Sequence, residues 1–98
     1  MNKKVMLKGR ENVDFIKEDE RIYLEDSNGK VIAEIEFKEI DEKIFDIYHT
    51  FVDESLRGKG VASMLVQEAV KEIQSKNGKI QASCSYAKQW LEKNEKKN

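Results

Sequence analysis

Arg57-Gly58-Lys59-Gly60-Val61-Ala62 marks the point where the chain changes its hydrophobic period. Upstream, from Lys43 to Val52, residues alternate. Phe45, Ile47, His49 and Phe51 fall on one face and Ile44, Tyr48 and Val52 on the other. Both faces are largely apolar, which predicts a central strand covered on both sides. Downstream, Val61, Ala62, Leu65, Val66, Ala69, Val70 and Ile73 recur at helical spacing with charged and amide residues between them. The hexapeptide therefore joins a strand to an amphipathic helix. Its two glycines let the backbone turn sharply and bring N–H groups close to a ligand. The helix start adds unpaired N–H groups and a partial positive charge, and Arg57 and Lys59 add full ones. That combination fits either a pyrophosphate cradle or a glycine-rich turn with no ligand. It lacks the spacing of a Walker loop and the third glycine of a dinucleotide fingerprint.

Working outward, the first half reads as strands. Val13, Phe15 and Ile16 precede a charged turn at Glu18-Asp19-Glu20, and Arg21 to Glu25 is rich in strand formers. Asn28-Gly29 supplies the left-handed conformations of a tight hairpin. Val31, Ala33, Ile35 and Phe37 then alternate with Glu34, Glu36 and Lys38, the pattern of a strand with one wet face. Val5-Met6-Leu7 is an edge strand or a loose end. In the second half, Asn77-Gly78 stops the long helix, with Gly78 suited to the left-handed cap. Lys79 to Ser83 is a short strand, and Ser83 or Ser85 caps a last helix with Ala87, Trp90 and Leu91 on one side. The expectation is one α+β domain over residues 1–98: a mixed, mostly antiparallel sheet with a β-α-β-α C-terminal half.

Composition narrows the function. The chain has 98 residues, 39% apolar and 38% charged, and a net charge of -1. This fits a thin-cored soluble domain and argues against a nucleic-acid binder, which usually carries a basic excess. No apolar run approaches the ~20 residues of a membrane span, and the N-terminus does not read as a signal peptide. One cysteine cannot build an internal disulfide framework, so a reducing cytoplasm is expected. One histidine and one distant cysteine make no metal set, and no Gly-x-Ser-x-Gly elbow occurs.

Arg57-x-x-Gly60-x-Ala62 resembles the Gln/Arg-x-x-Gly-x-Gly/Ala motif of the GNAT superfamily of acetyltransferases. The run from His49 to Gly60, with Cys84-Ser85-Tyr86-Ala87-Lys88 after the next strand, is similar to its short YjdJ-type branch. The resemblance covers about Phe15 to Asn94. It implies acetyl-CoA as cosubstrate and an amine as acceptor; a monomer is expected, and composition gives no reason to expect a metal, nucleic-acid or membrane partner. It implies that the amides of Arg57, Gly58, Lys59, Gly60, Val61 and Ala62 hold the pyrophosphate. The backbone of Thr50, Phe51 and Val52 would pair with the pantetheine arm in a splay between that strand and the next. The thioester would point toward Cys84 and Tyr86. Two positions depart from the pattern: Ala82 stands where the branch has proline, and Leu91 where the superfamily often has a thiol-protonating tyrosine. Tyr86 or Cys84 would then take that role. The strands that wall the acceptor site in longer relatives are not expected, so that site should be open.

Three side chains carry the candidate chemistry. Cys84 at a helix start tends toward thiolate and could accept an acetyl group, or it is a small buried hydrophobe. His49 suits deprotonation of an ammonium, or it is a satisfied core histidine. Tyr86 is a proton donor, a cover for the cofactor arm, or an ordinary packed tyrosine. Exposed Glu34, Glu36 and Asp46 are candidates for guiding a cationic acceptor. The activity expected is N-acetylation of an amine. The alternatives are a non-catalytic acyl-CoA-binding module and a phosphate-binding interaction domain without CoA.

Overall fold

In the computed structural model, which describes residues 14–95, the strand-rich half becomes β1 (Ile16–Glu18), β2 (Arg21–Glu25), β3 (Val31–Asp41) and β4 (Ile44–Val52). A single 3-10 turn (Glu54–Leu56) leads to α1 (Val61–Ser75), then β5 (Lys79–Ala82) and α2 (Ser85–Glu95). The five strands form one sheet in chain order. The junctions from β1 to β4 are antiparallel; β4 and β5 run parallel, with α1 as the crossover. This is the mixed, mostly antiparallel α+β sheet predicted above. Val5-Met6-Leu7 and Val13 lie outside the described residues.

The turns have local causes. Between β2 and β3, Asp26 Oδ1 accepts from Asn28 N (2.8 Å) and Lys30 N (3.0 Å), and only Gly29 takes a left-handed φ, +85°. At the end of α1 the expected cap is corrected. Asn77, not Gly78, is left-handed (φ 61°). Gly78 is needed for space: a Cβ there would lie 2.6 Å from the Phe45 ring and 2.8 Å from Ile73 Cγ2.

The core lies on one face of the sheet. Ile22, Leu24, Ala33, Ile35, Phe37 and Ile47 are fully buried against Leu65, Val66, Ala69 and Ile73 of α1. Each large side chain so buried stabilises the fold by about 1.5–3 kcal/mol. α2 packs beside α1 on the same face: Ala87 joins this core, and Trp90 Nε1 donates to Ser63 Oγ at 2.8 Å. The expectation that β4 is covered on both sides is therefore wrong. Among the described residues no helix covers the second face, and Tyr48 and Phe51 are 42% and 39% exposed.

A β-bulge explains the misreading. Glu36 pairs with His49 but the next residue, Phe37, pairs with Ile47, so Tyr48 is an extra residue in β4. Phe45 and Ile47 face the core, and beyond the bulge so do Thr50, opposite Ile35, and Val52, opposite Ala33. His49 and Phe51, opposite Glu36 and Glu34, are shifted to the uncovered face. One inserted residue thus reverses the alternation that the sequence shows as continuous.

Candidate functional site

The C-terminal end of β4 and the loop after it form the walls of a cleft. Asp53 closes the strand. Its carboxylate accepts from Ser55 Oγ (2.7 Å) and Ser55 N (3.0 Å), and these bonds hold its pKa below the ordinary carboxylate value. The chain then climbs through Gly58 (φ +82°) and Gly60 (φ +77°) into α1. Both glycines are in the left-handed region, which a β-carbon disfavours. A Cβ at either would meet nothing within 4 Å, so the backbone here borders open space. Gly60 gives α1 no side-chain cap and the first turn holds no acid. The first N–H groups of the helix, which have no intrahelical partner, therefore also lack a side-chain cap, and the partial positive charge they carry is unopposed by a first-turn carboxylate.

The cleft measures about 410 Å³ and is lined by Val52, Arg57, Gly58, Gly60, Val61 and Ala62, all chosen from the sequence, and by Tyr86 from α2. Leu56 and Ser63 also line it and were not foreseen. Ser63, a polar residue inside the apolar stripe of α1, was the available signal. It receives the Trp90 hydrogen bond that pins α2 beside the helix start. Lys59 is exposed and does not line the cleft.

Beyond the cleft, β4 and β5 part. Their ladder runs from Ile44–Lys79 to Ile47–Ala82 and stops. Ser83 N and Cys84 N both donate to Ile47 O, at 3.1 and 3.2 Å, and α2 then carries the chain away. From Tyr48 to Val52, β4 has β3 on one side and no β5 partner on the other.

Cys84 stands at this fork. Its carbonyl accepts from Lys88 N (2.9 Å), which makes Cys84, rather than Ser83 or Ser85, the cap of α2. Ser83 Oγ instead donates to Asp46 Oδ2 at 2.8 Å. The thiol lies 3.5 Å from Thr50 Oγ1. Partial burial acts to raise its pKa, but hydrogen bonds from the Ala87 N–H, the Thr50 hydroxyl, and the Tyr86 and Thr50 N–H groups together outweigh it, and the pKa falls. The Thr50 hydroxyl was a contribution unseen in the sequence, where only its backbone was considered. Tyr86, in the first turn of α2, is 40% exposed at the cleft, and burial raises its phenol pKa.

The candidate side chains do not converge on one face. Cys84, Thr50 and Tyr86 lie on the helical side. His49 lies on the uncovered side, its Nε2 4.0 Å from Glu34 Oε1. Leu91 lines a separate groove of about 430 Å³ between α1, β5 and α2.

A family model for GCN5-related N-acetyltransferases matches residues 21–98. A GCN5-like candidate N-acetyltransferase from Staphylococcus aureus, solved by NMR, is 34% identical, with a TM-score of 0.71 over 85% of this chain and 81% of that one. An acetyltransferase from Bacillus cereus shares the fold at 22% identity and a TM-score of 0.57, over 63% of this chain and 44% of its own. So does a Mycobacterium tuberculosis protein in complex with CoA, at 18% identity and a TM-score of 0.57, over 64% and 40%. The chain thus spans less than half of each of these two longer proteins. No curated protein matches it. With most of its length matched by the family model, the chain belongs to the GCN5-related N-acetyltransferase family.

Proposed function

We propose that this protein binds acetyl-CoA and transfers the acetyl group to an amine, within a single domain of the short YjdJ-type branch. One observation carries this: the uncapped helix start with its two left-handed glycines opens onto an unpaired strand edge that leads to Cys84 and Tyr86. The space a β-carbon would take at Gly58 and Gly60 fits the close approach of an anion to backbone amides. That a CoA complex shares this fold supports the same choice.

In this scheme the amides from Arg57 to Ala62 and the Arg57 guanidinium hold the pyrophosphate, and Lys59 adds charge nearby. The free edge of β4, Thr50 to Val52, pairs with the pantetheine arm and polarises the carbonyl through its N–H groups. Acetyl-CoA supplies an activated acetyl thioester. His49 takes a proton from an amine arriving over the uncovered face, directly or through water. Tyr86, kept protonated by its raised pKa, gives a proton to the departing thiolate. A covalent variant uses the lowered thiol. A bond from Cys84 Sγ to the acetyl carbon forms as the CoA thiolate leaves and takes the Tyr86 proton. The amine then forms its N–C bond as the Sγ–C bond breaks.

A second scheme, acyl-CoA binding without transfer, is favoured by Leu91. It stands where the superfamily often has a tyrosine, and it lines a groove away from the cleft. Two measurements decide. Saturating acetyl-CoA should raise the melting temperature, and an unmoved Tm in the folded protein defeats both schemes. Acetyl-CoA with an amine library should release free thiol, and no release with any amine leaves the binding module. An acetyl adduct by intact mass, lost in Cys84→Ala, supports the covalent variant; full activity in Cys84→Ala sinks it.

A further inference from the structure

The bulge in β4 does more than shift register. It places Tyr48 and His49, neighbours in sequence, on the uncovered face together with Phe51. Carboxylates surround these rings. Glu36 and Glu34 lie opposite His49 and Phe51 on the ladder, and burial, then the charges of Glu36, Glu20 and Glu34, raise the Tyr48 phenol pKa. Glu34 is neutralised by Arg21 Nε at 2.8 Å. Glu36, half-buried between Arg21 and His49, has no ion-pair partner among the described residues. The face already holds cations over rings: the Arg21 guanidinium lies 3.9 Å from the Tyr23 centroid and Lys38 Nζ 5.1 Å from that of Tyr48. Cationic groups are attracted to such ring faces. Thr50, between His49 and Phe51, reaches the Cys84 thiol from the opposite side of the strand, so this face adjoins the proposed reaction centre.

We propose that this uncovered face, centred on Tyr48, His49 and Phe51 and rimmed by Glu34 and Glu36, docks the acceptor, and that the acceptor is a linear aliphatic amine with a second positive charge. The inference rests on the amine-transfer scheme above. An attacking nitrogen must give up its proton, so it cannot also be the charge that the carboxylates hold. A second ammonium can stay protonated beside Glu36 while the first, deprotonated at His49, faces the thioester. The methylene spacer lies across the exposed part of the Phe51 ring and the part of Tyr48 that Lys38 leaves open. With Glu18, which pairs with Arg21, the face holds three carboxylates (Glu18, Glu34 and Glu36) against the cations Arg21 and Lys38, and this balance complements such a molecule.

The test is a two-dimensional amide NMR titration of the full chain with spermidine, with butylamine and Mg²⁺ as controls. Spermidine should move amides of residues 34–38 and 46–51 saturably, and butylamine and Mg²⁺ should move them far less. Glu36→Gln should weaken spermidine binding about fivefold or more, as loss of one close carboxylate in a half-buried setting implies. A dispersed spectrum shows that the variant is folded; if it is not, Phe51→Ser reads the same face. Shifts elsewhere, equal shifts with Mg²⁺ or butylamine, unchanged binding in the variants, or binding only of a lysine-rich peptide would each overturn the proposal. Acetyl-CoA is titrated separately on wild-type protein. If acetyl-CoA fails to bind while spermidine maps to this face, the transfer scheme has failed and the docking surface has not.

Discussion

Gly60→Ala and Gly29→Ala form a matched pair that separates a phosphate cradle from a mere turn. Both glycines are left-handed, at φ +77° and +85°, and a Cβ at either meets nothing within 4 Å. The structural cost of each is then the conformational one, about 1–2 kcal/mol for a side chain held in that region. At about 4–8 °C per kcal/mol for a domain of this size, each variant should lose about 4–16 °C in Tm. Binding should divide them. Gly29 sits in the β2–β3 turn, while Gly60 lines the cleft at the start of α1. A methyl group at Gly60 keeps an anion from the helix amides. Losing one charge-assisted hydrogen bond costs about 1.5–3 kcal/mol, or roughly 10- to 150-fold in Kd. Calorimetric titration with acetyl-CoA at 25 °C, with folding checked by circular dichroism, measures this directly. Gly29→Ala should bind as wild type does. If Gly60→Ala binds within twofold of Gly29→Ala, the loop is not the cradle, and the assignment of Arg57 to Ala62 is wrong.

Other consequences follow from the same geometry. Alkylation of Cys84 by iodoacetamide should show a midpoint below the ~8.5 of a free cysteine, and Thr50→Val should move it back up; an unmoved midpoint would deny the hydroxyl its part. Because the folded thiol pKa is depressed, its linked stability is full above the unfolded value and is lost as pH falls through the folded one. The stability gap between wild type and Cys84→Ala should therefore widen with rising pH across that window, and a constant gap would contradict the shift. Gly78→Ala should destabilise by about 1–3 kcal/mol in urea unfolding, since its Cβ would meet the buried Phe45 ring at 2.6 Å; wild-type stability would mean that the core yields freely. Tyr86→Phe should lower the transfer rate by about 10²-fold or more if its phenol protonates the thiol, with little change in acetyl-CoA affinity; an unchanged rate would assign that proton elsewhere.

The chain shows its order of elements plainly, because each is written in local terms. Ala33, Ile35 and Phe37 alternate with acids, and Leu65, Ala69 and Ile73 recur at helical spacing, so β3 and α1 follow from periodicity. The cleft loop was legible for the same reason, as two glycines at a change of period need little tertiary context. What stayed hidden depended on packing between distant segments. Gly78 looked like a cap, yet its role is to leave room for Phe45, which lies 33 positions earlier. Ser83 and Ser85 looked like caps because serine usually is one, yet Asp46 takes Ser83 and the cysteine between them takes the cap. No local pattern separates these cases, since the deciding partner lies on another strand.

The bulge at Tyr48 links the two most consequential differences. A regular β4 would keep His49 and Phe51 on the core face with Ile47 and turn Thr50 outward, away from Cys84. The thiol would lose the hydroxyl that helps to lower its pKa, and the helix-free face would lose two of its rings. With the extra residue, Thr50 reaches inward to the cap of α2 while His49 and Phe51 turn outward beside Glu34 and Glu36. The β4–β5 ladder also ends at Ile47, immediately before the bulge, so the strand edge opens where the side chains change faces. A bulge kinks its strand and increases its local twist, which gives a physical reason for the parting. Deleting Tyr48 should therefore separate two consequences: His49 then follows Ile47 directly, so the outward imidazole and the Thr50–Cys84 contact persist, while the kink and the open edge are lost; a thiol midpoint moved back up in that variant would contradict this account of the facing.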